Sequence, residues 1–420
     1  MHDASRQSKS DAELLAARRP RVLAVSFLFP NEVSPNHGIF VLNRLKALSR
    51  YADITVINPI PWSPLHRLLG KYQHNSQIPY KTQRDGLTIF HPRYLSIPKV
   101  LKGVEIDTYR KAVVNVLAND LKHNYFDLID LHWTFPDLPT GEYLSQILAR
   151  PMLLTLRGME VFHEQDGDIR QRVVARLLPG ASQVISLSQE LKQKSLALGS
   201  NAENNHVIRN GVDTDSFYYI EQREARRRLG INDDEKFILM VGALIKRKGF
   251  DLVIDRLAEL RRTFPGLKLR IVGSQGHEGD FRSQLQACIA TNKLQDAVIF
   301  QGPVNNQQLK HWYNAADVFC LASRGEGSPN VLTEALACGC PAVASDVGAV
   351  SDIMDSEAGL GALVSSEDSL AIEKGLTEVL SQCYDRQALA AAMAKYNWDW
   401  CARSVMTIYN AALKMCEVTP

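Results

Sequence analysis

Short runs of β-branched and apolar residues alternate along this chain with longer stretches whose apolar residues recur at helical spacing. The first run, Arg21 to Phe27 (RVLAVSF), leads into a Pro/Asn/Gly loop from Phe29 to Gly38, and a helical pattern follows from Ile39 to about Arg50. The same reading predicts strands at Ile54 to Pro59, Asp127 to Leu131, Met152 to Thr155, Val184 to Leu187 and His206 to Ile208. After residue 220 the pattern restarts. Strands are expected at Lys236 to Gly242, Lys268 to Val272, Val298 to Gln301, Val318 to Leu321 and Ala342 to Ala344, with helices between them, one from about Phe250 to Arg262. Strands alternating with helices imply mostly parallel sheets covered on both faces. The pattern therefore predicts an α/β protein of two doubly wound domains, joined near the turn signal Asn210-Gly211. The charged stretch Glu221 to Leu229 reads as a solvated helix opening the second domain. Open α/β sheets bind ligands beyond the carboxyl ends of their strands, so chemistry is expected in a cleft between two such sheets.

Composition narrows the class. A chain of 420 residues can build two cores, and 45% hydrophobic with 22% charged residues is an ordinary globular mixture. The net charge of +2 argues against a nucleic-acid partner, but the charge is uneven. Residues 1–100 carry 14 Lys/Arg against 6 Asp/Glu. Segments there such as Leu65-His66-Arg67-Leu68-Leu69-Gly70-Lys71 mix apolar and basic side chains, which suggests weak association with an anionic membrane. No apolar run is long enough to span a bilayer, and residues 1–20 read as a disordered leader without the apolar centre of a signal peptide. The seven cysteines all lie in the C-terminal third, several in apolar runs. Cys338-Gly339-Cys340 is too tight for a zinc pair, so reduced structural thiols, a cytoplasmic location and no metal site are expected.

The most informative segment is Glu326-Gly327-Ser328-Pro329-Asn330-Val331-Leu332-Thr333-Glu334-Ala335-Leu336-Ala337-Cys338-Gly339. Ser328 is a good N-cap, Pro329 suits the first helical position, and Gly339 with Pro341 stops the helix. Such a helix leaves the amides of Asn330, Val331 and Leu332 without intrahelical partners. With the helix dipole they form an anion site suited to a diphosphate. Glu334, about one and a half turns inside, can accept two protons from a vicinal diol such as a ribose offers. Glu326, in the preceding loop, is placed for hydroxyls of a sugar on that diphosphate, and Gly327 lets backbone come close.

This segment resembles the E-x7-E signature of the family 4 retaining glycosyltransferases, which have two facing Rossmann-like domains (the GT-B type) with the donor site in the interdomain cleft. The resemblance extends over nearly the whole chain. Val241-Gly242-Ala243-Leu244-Ile245-Lys246-Arg247-Lys248-Gly249 resembles the family's phosphate-binding segment. Val207 to Asp213 is similar to its interdomain junction, Ile185 to Glu190 to the end of its first domain, and Tyr396 to Trp400 to the start of a C-terminal helix that crosses back onto that domain. These segments imply an acceptor domain at 21–215 joined by a helix at about 398–418, and a nucleotide-sugar domain at 216–397.

Residue by residue, the resemblance implies that Glu334 binds the donor ribose. Glu326 then holds hydroxyls of the donor sugar, helped by backbone from Gly327 to Asn330. Lys248 neutralises the diphosphate beside Gly242, and Gly38 lets the first loop of the other domain meet it. His132, at the carboxyl end of the Asp127 to Leu131 strand, is implied to touch donor sugar or acceptor. Arg157-Gly158-Met159-Glu160 is similar to a family loop that often has His and Asp at its outer positions, so Arg157 and Glu160 are departures. Ala243 is another, standing where the family often has Arg, with Lys246 and Arg247 as candidate substitutes. Asp213-Thr214-Asp215 has the spelling of a metal motif but lies in the junction, where a turn or cap is expected.

The expected function is a metal-independent, retaining hexosyl transfer in cell-envelope polysaccharide synthesis, without a cofactor. A nucleotide-diphosphate sugar would be the donor, and a glycan or lipid-linked molecule the acceptor, at the inner face of the plasma membrane. The resemblance points loosely to exopolysaccharide or teichuronic-acid enzymes. A sugar-nucleotide epimerase of this fold and a non-catalytic nucleotide-sugar-binding subunit remain open alternatives.

Overall fold

A computed structural model of the chain describes residues 18–64, 74–96, 102–163, 169–276 and 281–418. The segment 65–71 and nearly all of the expected leader lie outside the described residues. The chain divides into two compact units, one of residues 1–210 with 398–420, the other of residues 211–397. The break falls five residues before the expected position 215. The reason is local: the Val212 amide bonds the Tyr396 carbonyl at 3.0 Å, and Phe217 is buried in the second unit's core.

In the first unit the strands are β1 (Arg21–Val25), β2 (Asp53–Ile57), β3 (Ile60–Trp62), β4 (Lys81–Arg84), β5 (Leu87–Phe90), β6 (Arg93–Leu95), β7 (Leu128–Leu131), β8 (Met152–Leu156), β9 (Gln183–Ser186) and β10 (Asn205–Val207). Eight of them form one sheet in the order β10-β9-β8-β7-β1-β2-β5-β4, while β3 and β6 pair separately. Both faces are covered. Leu23 and Val25 point into one apolar cluster with Ile129 and Leu131, whereas Val22 and Ala24 point into another. The second cluster takes in Cys401, Ala402, Val405, Met406, Tyr409 and Ala412 of the terminal helix Trp398–Val418, which is thereby an element of this unit. Within it, Tyr409 donates a hydrogen bond to Asp130 Oδ2 at 2.6 Å. The β4–β5 pair is antiparallel and turns at Asp85-Gly86, both at positive φ. This hairpin stands at the edge of a sheet that is otherwise parallel, and its Asp-Gly turn is the residue pair such a tight turn favours.

The second unit contains β11 (Phe237–Val241), β12 (Lys268–Val272), β13 (Val298–Gly302), β14 (Val318–Leu321), β15 (Ala342–Ser345) and β16 (Gly361–Val364). All pair in parallel in the order β13-β12-β11-β14-β15-β16. This is the doubly wound Rossmann order, in which the chain reverses direction between the first and fourth strands. Here that switch point lies between β11 and β14. In the first unit the corresponding switch lies between β1 and β7. Loops leaving those four strands diverge and leave room for a ligand, and they carry most of the residues singled out above.

Among the described residues no helix is long and apolar enough to cross a membrane. Cys320, Cys338, Cys340 and Cys401 are buried free thiols, which fits their apolar settings.

Candidate active site

At the second unit's switch point, the loop after β11 and the loop after β14 are laced together. Gly242 directly follows β11, and the aliphatic stem of Lys248 runs about 3.5 Å from where a Cβ on Gly242 would stand. The Lys248 ammonium reaches Glu326 Oε1 at 2.5 Å, where the Ser323 hydroxyl also donates at 2.6 Å. Arg247 approaches the other oxygen, Oε2, at 3.7 Å and donates to the Gly325 carbonyl at 2.9 Å. Arg324 reaches back the other way. Its guanidinium donates to the Lys246 carbonyl at 2.6 Å and forks onto Asp251 at 3.0 and 2.7 Å. The side chains of Glu326 and Lys248 are only 7% and 16% exposed, so their ion pair is largely desolvated and correspondingly strong. Of the two candidate substitutes for the missing guanidinium at Ala243, the structure turns Arg247 toward Glu326 and leaves Lys246 exposed.

Gly348 fixes the other side of this loop. It has φ +60°, and a Cβ there would stand 2.2 Å from the Glu326 carbonyl oxygen, so no larger residue fits. The next residue, Ala349, donates its amide to the Gly327 carbonyl at 2.9 Å. With these carbonyls turned toward residues 348–349, the chain runs on through Ser328 into the helix Asn330–Ala337.

That helix begins one residue later than expected. Pro329 is the N-cap, with extended backbone and no side-chain cap, so Ser328 does not cap the helix. The Pro329 carbonyl accepts the Leu332 amide at 3.1 Å in a tight first turn, which removes Leu332 from the expected set of open donors. Glu334 lies on the second turn, partly buried, and its Oε2 accepts a hydrogen bond from Tyr313 at 3.0 Å. Burial pushes the Glu334 carboxyl up to about 7 against the pull of Tyr313, and the negative Asp213 adds to the rise. Asp213 itself closes a turn, accepting the Asp215 amide at 3.1 Å and the Ser216 hydroxyl at 2.7 Å, the role expected for that segment.

At the first unit's switch point, Gly38 is the N-cap of the helix Ile39–Leu48, with φ +71°. A Cβ on it would come within 2.6 Å of the Leu28 carbonyl carbon, so glycine is required by the loop's own fold. His132 follows β7 and is fully enclosed. Arg157 donates to its Nδ1 at 2.8 Å, so that nitrogen is unprotonated and Nε2 carries the hydrogen. Nε2 faces Asp130 Oδ2 at 3.1 Å, off the line of a straight hydrogen bond. Burial pushes the imidazole below its ordinary pKa, so His132 is neutral. The structure thus encloses His132 between two charged neighbours. Arg157 also packs over the Phe40 ring, while the Glu160 side chain lies outside the described residues. Asp137 is a further enclosed acid here. Both its oxygens accept the Phe27 amide, at 3.0 and 3.1 Å, and Tyr109 donates at 2.6 Å.

Sequence reasoning missed Tyr313, Arg324, Asp251 and Asp137. Ser323 had a local signal, its position three residues before Glu326. The others meet their partners only through the fold.

Two family models match. One described as glycosyl transferases group 1 covers residues 221–397, and one described as glycosyltransferase family 4 covers residues 81–216. The teichuronic acid biosynthesis glycosyltransferase TuaC of Bacillus subtilis is 28% identical over 366 residues, 85% of this chain and 88% of the relative. A D-inositol 3-phosphate glycosyltransferase of Frankia alni is 30% identical over 333 residues, 72% of this chain and 79% of the relative. Among solved structures, Anabaena Alr3699/HepE in complex with UDP superposes with a TM-score of 0.70 at 20% identity, covering 93% of this chain and 100% of that one.

Proposed function

Because this chain belongs to the group 1 glycosyltransferases of family 4, we propose that it moves a hexose from a nucleotide-diphosphate donor with retention of the anomeric configuration and without a metal ion. The acceptor is a glycan or lipid-linked molecule of the cell envelope. The observation that carries this reading is the pairing of Lys248 with Glu326 at the switch point, directly before the helix that holds Glu334.

In this reading the diphosphate lies against Lys248 and the start of the helix Asn330–Ala337, where partial positive charge collects. Glu334 accepts the ribose hydroxyls, and Glu326 accepts hydroxyls of the sugar. The acceptor oxygen bonds to the anomeric carbon as the bond from that carbon to the phosphate oxygen breaks. The acceptor proton passes to the departing diphosphate on the same face. Lys248, aided by Arg247, stabilises the charge that develops on the leaving group. The teichuronic-acid synthesis to which TuaC is assigned supports an envelope acceptor, and the excess of cations in residues 1–100 supports weak contact with an anionic leaflet. Sedimentation with anionic vesicles at low salt tests that contact, and protein left wholly in the supernatant argues against it.

A panel of UDP-, GDP- and ADP-sugars scored by thermal shift tests the donor reading. One base class should raise Tm, with stabilisation of about 2.7 kcal/mol at a hundredfold excess over Kd. Proton NMR of the product should then show the donor's anomeric configuration. A panel without a single shift, or an inverted product, contradicts the reading.

A further inference from the structure

The turn that carries Lys248 has little packing of its own. Lys246–Lys248 is a single tight turn of 3-10 helix that buries none of its three side chains. The Lys248 and Gly249 amides close it on the Ile245 and Lys246 carbonyls, both at 3.1 Å. Such bonds fix the shape of a turn but not its place. Its place is set by bonds to the loop after β14. The Arg324 amide donates to the Arg247 carbonyl at 2.7 Å, and Arg324 Nη1 donates to the Lys246 carbonyl at 2.6 Å. Arg247 returns a bond to the Gly325 carbonyl at 2.9 Å. The Arg324 guanidinium also forks onto Asp251, with Nη1 to Oδ1 at 3.0 Å and Nη2 to Oδ2 at 2.7 Å. Asp251 stands in the first turn of the helix Phe250–Thr263, whose Phe250, Val253, Ile254 and Leu257 are buried in the second unit's core.

We propose that Arg324 is a positioning residue for Lys248, an inference that rests on the transferase reading above. Arg324 holds the turn so that the Lys248 ammonium stands where charge develops on the leaving diphosphate. Its own guanidinium is engaged by protein acceptors. Nη1 serves Lys246 and Asp251, Nη2 serves Asp251, and Nε faces Glu367 Oε2 at 3.6 Å. The anchorage runs from the buried helix through Asp251 and Arg324 to the Lys246 carbonyl, two residues before Lys248. It uses the carbonyl of Lys246 and not its side chain. A planar guanidinium bonds a carboxylate in a fork and a carbonyl beside it, which a single ammonium does not reproduce. The magnitudes separate this role from a purely stabilising one. The Arg324 and Asp251 side chains are 17% and 27% exposed, and a partly exposed ion pair adds little to stability. A catalytic group misplaced by about 1 Å, in contrast, loses on the order of 100-fold in rate.

The test is a double-mutant cycle on the full chain. It is read as release of nucleoside diphosphate, at saturating concentration of the sugar nucleotide that raises the wild-type Tm. Arg324→Met keeps the aliphatic stem and removes the fork, and should lower kcat about tenfold or more. Arg324→Lys, which keeps the charge without the fork, should restore part of that loss. In a Lys248→Ala background, Arg324→Met should cost less than about twofold, because a residue that acts through Lys248 has nothing left to position. Asp251→Asn loosens the fork from its other end. It should repeat both results, and it serves in place of Arg324→Met if that variant does not fold. Equal losses with and without Lys248, or wild-type kcat in both variants, overturn the inference and leave the transferase reading standing. A Lys248→Ala enzyme that keeps its kcat overturns the reading together with the inference.

Discussion

Lys248 Nζ stands 2.5 Å from Glu326 Oε1 across 78 residues of sequence. The two groups assigned to opposite ends of the donor's sugar–diphosphate bond are therefore paired with each other. Glu326 competes with a diphosphate for Lys248. Glu326→Gln should lower turnover roughly tenfold, because the sugar hydroxyls exchange a charged acceptor for a neutral amide with one accepting oxygen. The same variant should bind the sugar-free nucleoside diphosphate at least as tightly as the wild type. Calorimetry with that diphosphate checks this, and weaker binding would place Glu326 elsewhere in the site.

Glu334 gives a pH dependence with a definite sign. Its carboxyl titrates near 7, raised by burial, and a ribose diol donates protons that only the carboxylate form can fully accept. Nucleotide affinity should rise between about pH 6 and about pH 8 and then level off. Glu334→Gln should flatten that rise, and Glu334→Ala should cost roughly 1.5–3 kcal/mol of nucleotide binding. An identical pH profile in Glu334→Gln would remove this carboxyl from the nucleotide site.

Asp137 predicts a stability effect in the other unit. Burial raises its folded pKa from an ordinary 3.8 to about 7. Its neutral form is favoured in the fold, so its contribution is fully present below the unfolded value and is lost as pH rises through about 7. The loss is on the order of 4 kcal/mol. Asp137→Asn keeps an oxygen for the Phe27 amide and Tyr109, so its stability should change less over that range. Denaturant titrations across the range decide it, and parallel curves for the two proteins would contradict the assignment.

The structure also separates two neighbouring cations. Arg247 approaches Glu326 and braces Gly325, whereas the Lys246 side chain is exposed. Arg247→Ala should reduce turnover about tenfold, in the range of a lost charge-assisted hydrogen bond, and Lys246→Ala should leave it unchanged. Equal losses in the two variants would contradict this separation of the two cations.

What could be read from the chain was what repeats locally. Runs such as Phe237–Val241 and Lys268–Val272 are apolar and β-branched because both faces of a parallel strand are buried, so the pattern locates them closely. The Arg84-Asp85-Gly86-Leu87 turn carried a hairpin signal that the alternation of strands and helices obscured. The start of the helix at Asn330 shifted by one residue because Ser328 and Pro329 are both good helix-start residues, and only backbone geometry chooses between them. Glu326 and Glu334 were singled out by their spacing and setting and Lys248 by resemblance, and the structure brings Lys248 and Glu326 together. Tyr313 and Arg324 were not, because their partners Glu334 and Asp251 lie 21 and 73 residues away. His132 was found by its place at a strand end, but its enclosure depends on its own strand β7, which carries Asp130, and on β8, which Arg157 follows.

The central claim is that Lys248 stabilises the departing diphosphate of a sugar donor. It is tested most directly by release of nucleoside diphosphate from the sugar nucleotide that raises the wild-type Tm, compared between wild type and Lys248→Ala at saturating donor. Both proteins must show the same far-ultraviolet spectrum and cooperative unfolding. Wild type should release nucleoside diphosphate measurably, and kcat should fall on the order of 100-fold or more in the variant. A Lys248→Ala enzyme that retains most of its kcat would contradict it.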